Sequence, residues 1–248
     1  MQRRRFHFRV LEDCFFYPQR PWRAEFVSRQ GLSGELFQCH LETGYFVQGT
    51  ELYKPVCAGC RDCVPIRVPL KTFAPSKSQR KLLRRNQDLQ LQIATPQLSL
   101  EKLQLYMRYH EVRWGWLPSP PPLMMGHMRS HLFTNWGEAL EFEYRLDGRL
   151  VAFGILDALP EAANSRYFVY DPDLVPGRAL GIWSLLQELQ WCRQSSKDHL
   201  YLGMYVPEHR TMRYKLDFRP FELRLDGVWR TFEHPDQVTR ERLQQFLL

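Results

Sequence analysis

Cys57, Cys60 and Cys63 form a C-x-x-C-x-x-C array, a spacing that either wraps a metal or holds reactive thiols. Close behind it, Lys77, Arg80, Lys81, Arg84 and Arg85 recur at intervals of three and four. A helix starting after Ser76 places all five cations on one face. Such a stripe reads anions, and a phosphate backbone is its natural partner. The plainer alternatives are a solvated helix face and a group of reduced thiols packed as small hydrophobes.

The elements that must hold these residues are legible in part. Val64-Pro-Ile-Arg67 reads as a strand, and Leu100, Leu103, Met107 and His110 form a helical stripe behind a Ser99 cap. Pro118 to Pro122 interrupts any helix and reads as a loop. Phe142, Tyr144 and Leu146 alternate with Glu141, Glu143 and Arg145, which predicts a half-buried strand turning at Asp147-Gly148 into Leu150 to Leu156. Tyr167 to Tyr170 reads as a short strand, then Ile182, Leu185, Leu186, Leu189 and Cys192 mark an amphipathic helix. Tyr201 to Val206 is strand-like, Thr211 to Asp217 a short helix, and Phe221 to Phe232 a hairpin through Asp226-Gly227.

Composition sets bounds. The chain has 248 residues, 44% hydrophobic and 25% charged, which is a soluble globular protein of one large or two small domains. No apolar run is long enough to span a membrane, and the cationic N-terminus lacks the apolar segment of a secretory signal, so a cytoplasmic protein is expected. Six cysteines in such a chain are expected to be reduced. A net charge of +7 favours polyanionic partners.

Tyr53-Lys54-Pro55, Cys57 to Arg67, Phe73 to Asn86, Tyr170-Asp171-Pro172-Asp173, Leu180-Gly181, Tyr201-Leu202-Gly203 and Met212 to Pro220 stand in an order that resembles the arginyl-tRNA–protein transferase family. The likeness spans nearly the whole chain and is nearest the shorter bacterial branch, the aspartate/glutamate leucyltransferases. Two segments depart from the family pattern, Gly44 to Gln48 and Tyr109 to Trp114. The resemblance implies an α+β fold with an N-acetyltransferase (GNAT)-like mixed sheet, the order of strands and helices agreeing. Composition marks off an aromatic, cysteine-bearing first region, 1–75, and leaves 76–248 as the GNAT-like aminoacyl-transferase domain. Arg178-Ala-Leu-Gly181 is a partial version of that fold's phosphate loop, with Trp183 where a second glycine would complete it.

The implied reaction moves arginine or leucine from charged tRNA to the N-terminal amine of a protein or peptide with an acidic first residue. The ester is already activated and an α-amine with a pKa of about 7.7–8.0 is partly neutral near pH 7, so positioning dominates and no cofactor is required. Lys77, Arg80, Lys81, Arg84, Arg85 and Arg178 are the expected tRNA contacts, helped by Arg3 to Arg5. Tyr170 and Asp171 are the catalytic candidates, Tyr170 as donor to the leaving ribose oxygen and Asp171 as orienter of the amine. Tyr205, Tyr214 and Lys215 are further candidates, and Lys54 and Arg67 are expected to read the acidic acceptor. Glu141, Glu143, Asp171 and Asp173 are the carboxylates available to an arginyl group. By family likeness Cys14 is the fourth ligand beside Cys57, Cys60 and Cys63 for zinc or an iron–sulfur cluster, with Cys39 next. Two other functions fit the sequence: an acyl-CoA-dependent N-acyltransferase and a non-catalytic RNA-binding protein. Oligomeric state is left open.

Overall fold

A computed structural model describes residues 6–11, 13–134 and 138–245; Arg3 to Arg5 lie outside them. The first strands, β1 (His7–Leu11) and β2 (Trp22–Ser28), are followed by helix α1 (Gly34–Glu42), β3 (Phe46–Gln48) and β4 (Glu51–Pro55). They form a small antiparallel sheet in the order β1-β2-β4-β3. Then come β5 (Val64–Pro69), α2 (Lys77–Arg85), β6 (Gln90–Ala94), α3 (Leu100–Trp114) and the short α4 (Met124–Met128). The remainder is β7 (Ala139–Leu146), β8 (Arg149–Ala158), β9 (Ala162–Tyr170), α5 (Val175–Arg178), α6 (Leu180–Gln194), β10 (His199–Tyr205), β11 (Phe221–Leu225), β12 (Val228–Phe232) and α7 (Arg240–Gln244).

The large sheet runs β12-β11-β5-β10-β9-β8-β7-β6. β5 belongs to it, so along the chain the change of sheet falls between Pro55 and Val64. Val64, Ile66 and Val68 on one face of the strand and Arg67 on the other are all buried, which requires a strand inside a covered sheet. α2 and α6 close one face, and α3 with α4 close the other. Both faces of β7 are therefore covered. The expected polar face is not solvated: Glu141 is buried, held by Lys102 Nζ at 2.7 Å, and Gln97 N–H donates to its other oxygen. The α3 stripe is also rotated from expectation. Leu100 is exposed, while Lys102, Leu105, Tyr106 and His110 face inward, because the helix turns its ammonium toward the carboxylates of β7.

Two strands in this sheet run parallel, and they part early. β9 and β10 pair only at Ala162–His199, Ala163–Leu200 and Asn164–Tyr201. Each then bulges. Against β8, Arg166 is the extra residue between Ser165 and Tyr167; against β5, β10 gains a residue between Tyr201 and Met204, where Gly203 has φ +73°. A bulge bends its strand and adds twist. Lys215 Nζ holds the second one, donating to the carbonyls of Leu202 at 2.8 Å and Met204 at 2.6 Å.

The first bulge is held by a buried ionic network. Arg166 donates to both oxygens of Asp157 and to the Leu132 carbonyl, Asn164 Nδ2 reaches Asp157 at 2.9 Å, and Arg29 Nη2 from the small-sheet region reaches it at 2.8 Å. Burial alone would raise the Asp157 pKa, but Arg166 and Arg29 outweigh it and hold the carboxyl down at about 2. Its contribution is thus complete above the ordinary carboxylate range and lost as pH falls from about 4 toward 2. Asp157→Ala strands two buried guanidiniums and is expected to cost about 3–5 kcal/mol, read from denaturant unfolding at pH 7. A loss under about 1 kcal/mol would show that Asp157 is not what holds the bulge.

Candidate aminoacyl-transfer site

Where β9 and β10 part, an open cavity of about 560 Å³ enters the molecule. One wall is β9 from Ser165 to Tyr170, the other is α6 from Leu180 to Glu188, and Leu202, Met212, Tyr214 and Lys215 close the back. Tyr109, Arg113 and Trp114 at the end of α3 form the rim. The interior is mostly apolar: Phe168, Leu180, Ile182, Leu185 and Leu202 are its hydrocarbon surface. The first turn of α6 opens onto it without a side-chain cap, which presents the positive end of a 15-residue helix.

One buried group on its floor is unusual. Both Glu188 carboxyl oxygens are buried without a hydrogen-bond partner. Burial pushes the carboxyl up to about 8, against a smaller lowering by the Ser165 hydroxyl. Gly154 on β8 makes room: a Cβ there would stand 3.2 Å from the Phe168 ring and 3.3 Å from the Tyr167 carbonyl. Burial also pushes the half-buried Lys215 ammonium down to about 8 and the Tyr214 hydroxyl up to about 12. Glu188 was absent from the sequence-derived candidates. The available signal was a glutamate at i+3 from Leu185 and i−4 from Cys192, on the apolar face of its helix.

The basic stripe forms as expected. Ser76 and Gln79 make a reciprocal capping box, and Lys77, Arg80, Lys81, Arg84 and Arg85 are all exposed on α2. Lys77, Lys81 and Arg84 have no carboxylate partner among the described residues, whereas Arg80 bonds the Pro75 carbonyl at 2.6 Å. The stripe is fastened to the cavity rim. Arg85 donates to the Gly177 carbonyl, and Asn86 Nδ2 donates to the Arg178 carbonyl at 2.9 Å, just before Ala179 and Leu180 enter the cavity wall. Arg178 itself is paired with Asp88 through bonds of 2.8 and 2.7 Å, so its charge is already balanced.

The catalytic candidates separate. Tyr170 lines the cavity and stacks edge-on against Tyr109 at 5.0 Å. Asp171 does not line it; one oxygen accepts from Arg149 at 2.8 Å and the other from the Asp173 N–H at 3.0 Å, an arrangement that closes the turn opened by Asp-Pro. Asp173 pairs with Arg108 on the surface, and Glu143 with Lys102 and Arg145. None of the four carboxylates expected to read an arginyl group therefore reaches the cavity. Tyr205 lies outside it as well, in the core.

The acceptor candidates also part company. Arg67 is spent inside the sheet, on Glu222 at 2.6 Å, on the Tyr201 hydroxyl at 3.1 Å and against the Trp229 ring at 4.2 Å. Lys54 lines a second cavity of about 300 Å³ with Arg61, Arg224 and the three array cysteines. Burial first, then the neighbouring Arg224 and Arg61 charges, lower the Lys54 pKa against the opposing pull of Glu25. This cavity lies at the end of the large sheet where β10 and β9 end, two strands along.

Cys14 is buried and Cys57, Cys60 and Cys63 are half-buried. Burial, then Cys60, Cys14 and Cys57, push the Cys63 thiol up to about 12, so the other three cysteines stand near it. Among the described residues no group of three or more His, Cys, Asp or Glu side chains is arranged to hold a metal ion. Cys57 is engaged with the Arg23 backbone, accepting from its N–H at 3.3 Å. Cys39 is exposed on α1.

A mixed sheet whose parallel pair splays over a helix N-terminus is the GNAT-like arrangement, and here the basic face of α2 stands on its rim. Residues 12–81 match the N terminus, and residues 101–225 the C terminus, of arginine-tRNA-protein transferase. An aspartate/glutamate leucyltransferase of Leptospira interrogans is 35% identical over 86% of this chain and 84% of its own length. Those of Chromohalobacter salexigens (32%, covering 91% and 92%) and Pseudomonas putida (30%, covering 93% and 98%) are similar. A conserved protein of unknown function from Bacteroides thetaiotaomicron shares the fold, with a TM-score of 0.50 at 14% identity over 87% of this chain and 82% of its own. The chain belongs to the arginine-tRNA-protein transferase family, and is an aminoacyl-tRNA-dependent transferase. Among the described residues no helix is long and apolar enough to cross a membrane.

Glu188 yields a check that needs no substrate. A folded-state pKa near 8 against 4.5 means the folded chain holds a proton that the unfolded chain releases between those values. Stability from this group is complete below about pH 4.5 and falls as pH rises toward 8. Glu188→Gln keeps the shape without the ionisation, so its denaturation midpoint should gain on the parent steadily from pH 5 to pH 8. A constant difference across that range would mean that Glu188 does not carry the proton.

Proposed function

We propose that this protein moves leucine from charged tRNA to the N-terminal amine of proteins or peptides beginning with aspartate or glutamate, acting in the cytoplasm where charged tRNA is found. The observation that carries the reading is the fastening of the α2 basic face to the rim of an apolar cavity through Arg85–Gly177 and Asn86–Arg178. The acceptor stem lies along Lys77, Arg80, Lys81 and Arg84, the terminal ribose reaches the first turn of α6, and the leucyl group enters between Phe168, Leu185 and Leu202. That turn's N–H groups face the oxyanion that forms as the amine attacks. Tyr170, at the rim, protonates the ribose oxygen as the ester bond breaks and the peptide bond forms. Leucine is favoured over arginine by this hydrocarbon lining and by the names of the similar proteins.

Lys54, Arg61 and Arg224 supply the charge that an acidic first residue requires, at the same end of the sheet as the cavity. The cysteines stand in the wall of that subsite, and the transfer itself needs no cofactor because the ester is already activated.

The deciding experiment offers leucyl-, arginyl- and phenylalanyl-tRNA to peptides starting with Asp, Glu, Lys or Ala and follows the labelled amino acid. Label is expected from leucyl-tRNA into the Asp and Glu peptides; label from arginyl-tRNA alone would overturn the donor assignment. Lys81→Glu with Arg84→Glu should raise KM for charged tRNA and make its salt dependence shallower, the logarithmic slope falling by about one for each phosphate left unneutralised. Lys54→Met should raise KM for the acidic peptide at least about tenfold with KM for charged tRNA unchanged, since a hydrogen-bonded charge contributes about 1.5–3 kcal/mol. Equal shifts in both KM values would sink the acceptor assignment.

A further inference from the structure

Several polar side chains around the transfer cavity are already engaged. Tyr144 and Ser184 hydroxyls bond each other at 2.9 Å, Lys215 is held by two carbonyls, and Arg166 is committed to Asp157 and the Leu132 carbonyl. Glu188 keeps two buried oxygens on the cavity floor that no hydrogen bond of good geometry reaches, the Ser165 hydroxyl giving its carboxyl only slight support. The groups that face it from the elements packed around it are Tyr144 on β7, Ser165 on β9, Tyr214 after β10 and Cys192 on its own helix. None of these is a cation. A carboxyl placed so, at the end of a cavity that opens to solvent, is costly unless a ligand brings it a donor.

We propose that Glu188 is the counter-ion for the α-amine of the aminoacyl group, holding the leucyl moiety so that its ester carbonyl stays at the mouth of the cavity. This rests on leucine being the donated residue. A leucyl ester carries a single nitrogen, the α-amine; its side chain is hydrocarbon and its ester oxygens accept only. The amine and the buried carboxyl meet with a proton to share, and the ion pair forms by moving that proton from oxygen to nitrogen where the carboxyl arrives protonated. Burial that disfavours the empty, ionised site also makes the filled pair strong, since no water competes. The site would thus refuse acyl-tRNAs that lack a free amine, including those whose amine is already acylated, and Glu188 acts by positioning rather than by touching the reacting carbonyl.

The test compares leucyl-tRNA with tRNA carrying 4-methylpentanoate, which is leucine without its amine, using one Asp-initial peptide. The parent protein is expected to prefer leucyl-tRNA by about tenfold or more in kcat/KM, the scale of a hydrogen-bonded charge. Glu188→Gln should lose about that factor on leucyl-tRNA while staying within about twofold on the analogue. Equal use of both donors by the parent overturns the proposal without any variant. A preference that survives unchanged in Glu188→Gln, or an equal slowing on both donors, overturns it too, since a merely structural role predicts one of these. No leucine transfer at all by the parent removes the donor assignment and the proposal with it, whereas leucine transfer without discrimination removes the proposal alone.

Discussion

Asp157 and its two guanidiniums are the constraint from which the rest of this structure follows. The carboxylate sits near the end of β8, Arg166 comes from the bulge of β9, and Arg29 reaches over from the region of the small sheet. Without an extra residue at Arg166, every β9 side chain beyond it would change face, because side-chain direction in a strand alternates with each position. Tyr167 would leave His110, to which it is bonded at 2.9 Å, and Tyr170 would leave the cavity. The same network keeps β9 on its course while β10, clamped by Lys215 at its own bulge, turns away. One ion cluster therefore fixes the small-sheet region against the large sheet and opens the cleft.

Charge is sorted by location. The +7 of the chain is not a diffuse positive surface, because many of its arginines are consumed internally. Arg29 and Arg166 hold Asp157, Arg67 holds Glu222, Arg178 holds Asp88 and Arg240 holds Asp62. Five cations stand together on α2, a helix with no acidic residue in its first turn and two cations in its last. Its apolar side, Leu82 and Leu83, packs on the core near α6, so the cationic face is held in place by the same core that shapes the cavity. The basic face and the cavity share one packed unit. That is what a transferase relying on positioning requires.

Two titratable groups near the cavity resist their usual states for one reason, burial without a countercharge. The Lys215 ammonium has only carbonyl dipoles, and the Glu188 carboxyl has no hydrogen-bond partner. The first spends its donors on holding β10 in its bulge, a structural return. The second gains nothing within the folded chain, and local rules of foldability are most often broken where a ligand completes the arrangement.

Much of the architecture was legible in the chain because it is written in local terms. The α2 stripe starting after Ser76, the hairpin turns at Asp147-Gly148 and Asp226-Gly227 and the stripe of α6 depend on spacing and turn chemistry, and each is present. The resemblance to aminoacyl-tRNA transferases rested on short motifs in order, and those motifs fold into one family's framework. Tertiary structure decided which of the chemically able residues remained free. By residue type and spacing, Asp171, Arg67 and Arg178 had the same standing as Tyr170, Lys54 and Lys81. Partners distant in the chain, Arg149, Glu222 and Asp88, absorbed the first three. Glu188 was hidden for the converse reason: a glutamate on a helix ordinarily finds water, and only the approach of β8 at Gly154 and of β9 over it denied this one any partner. Type and spacing travel with the sequence, whereas desolvation and pairing exist only once distant segments meet.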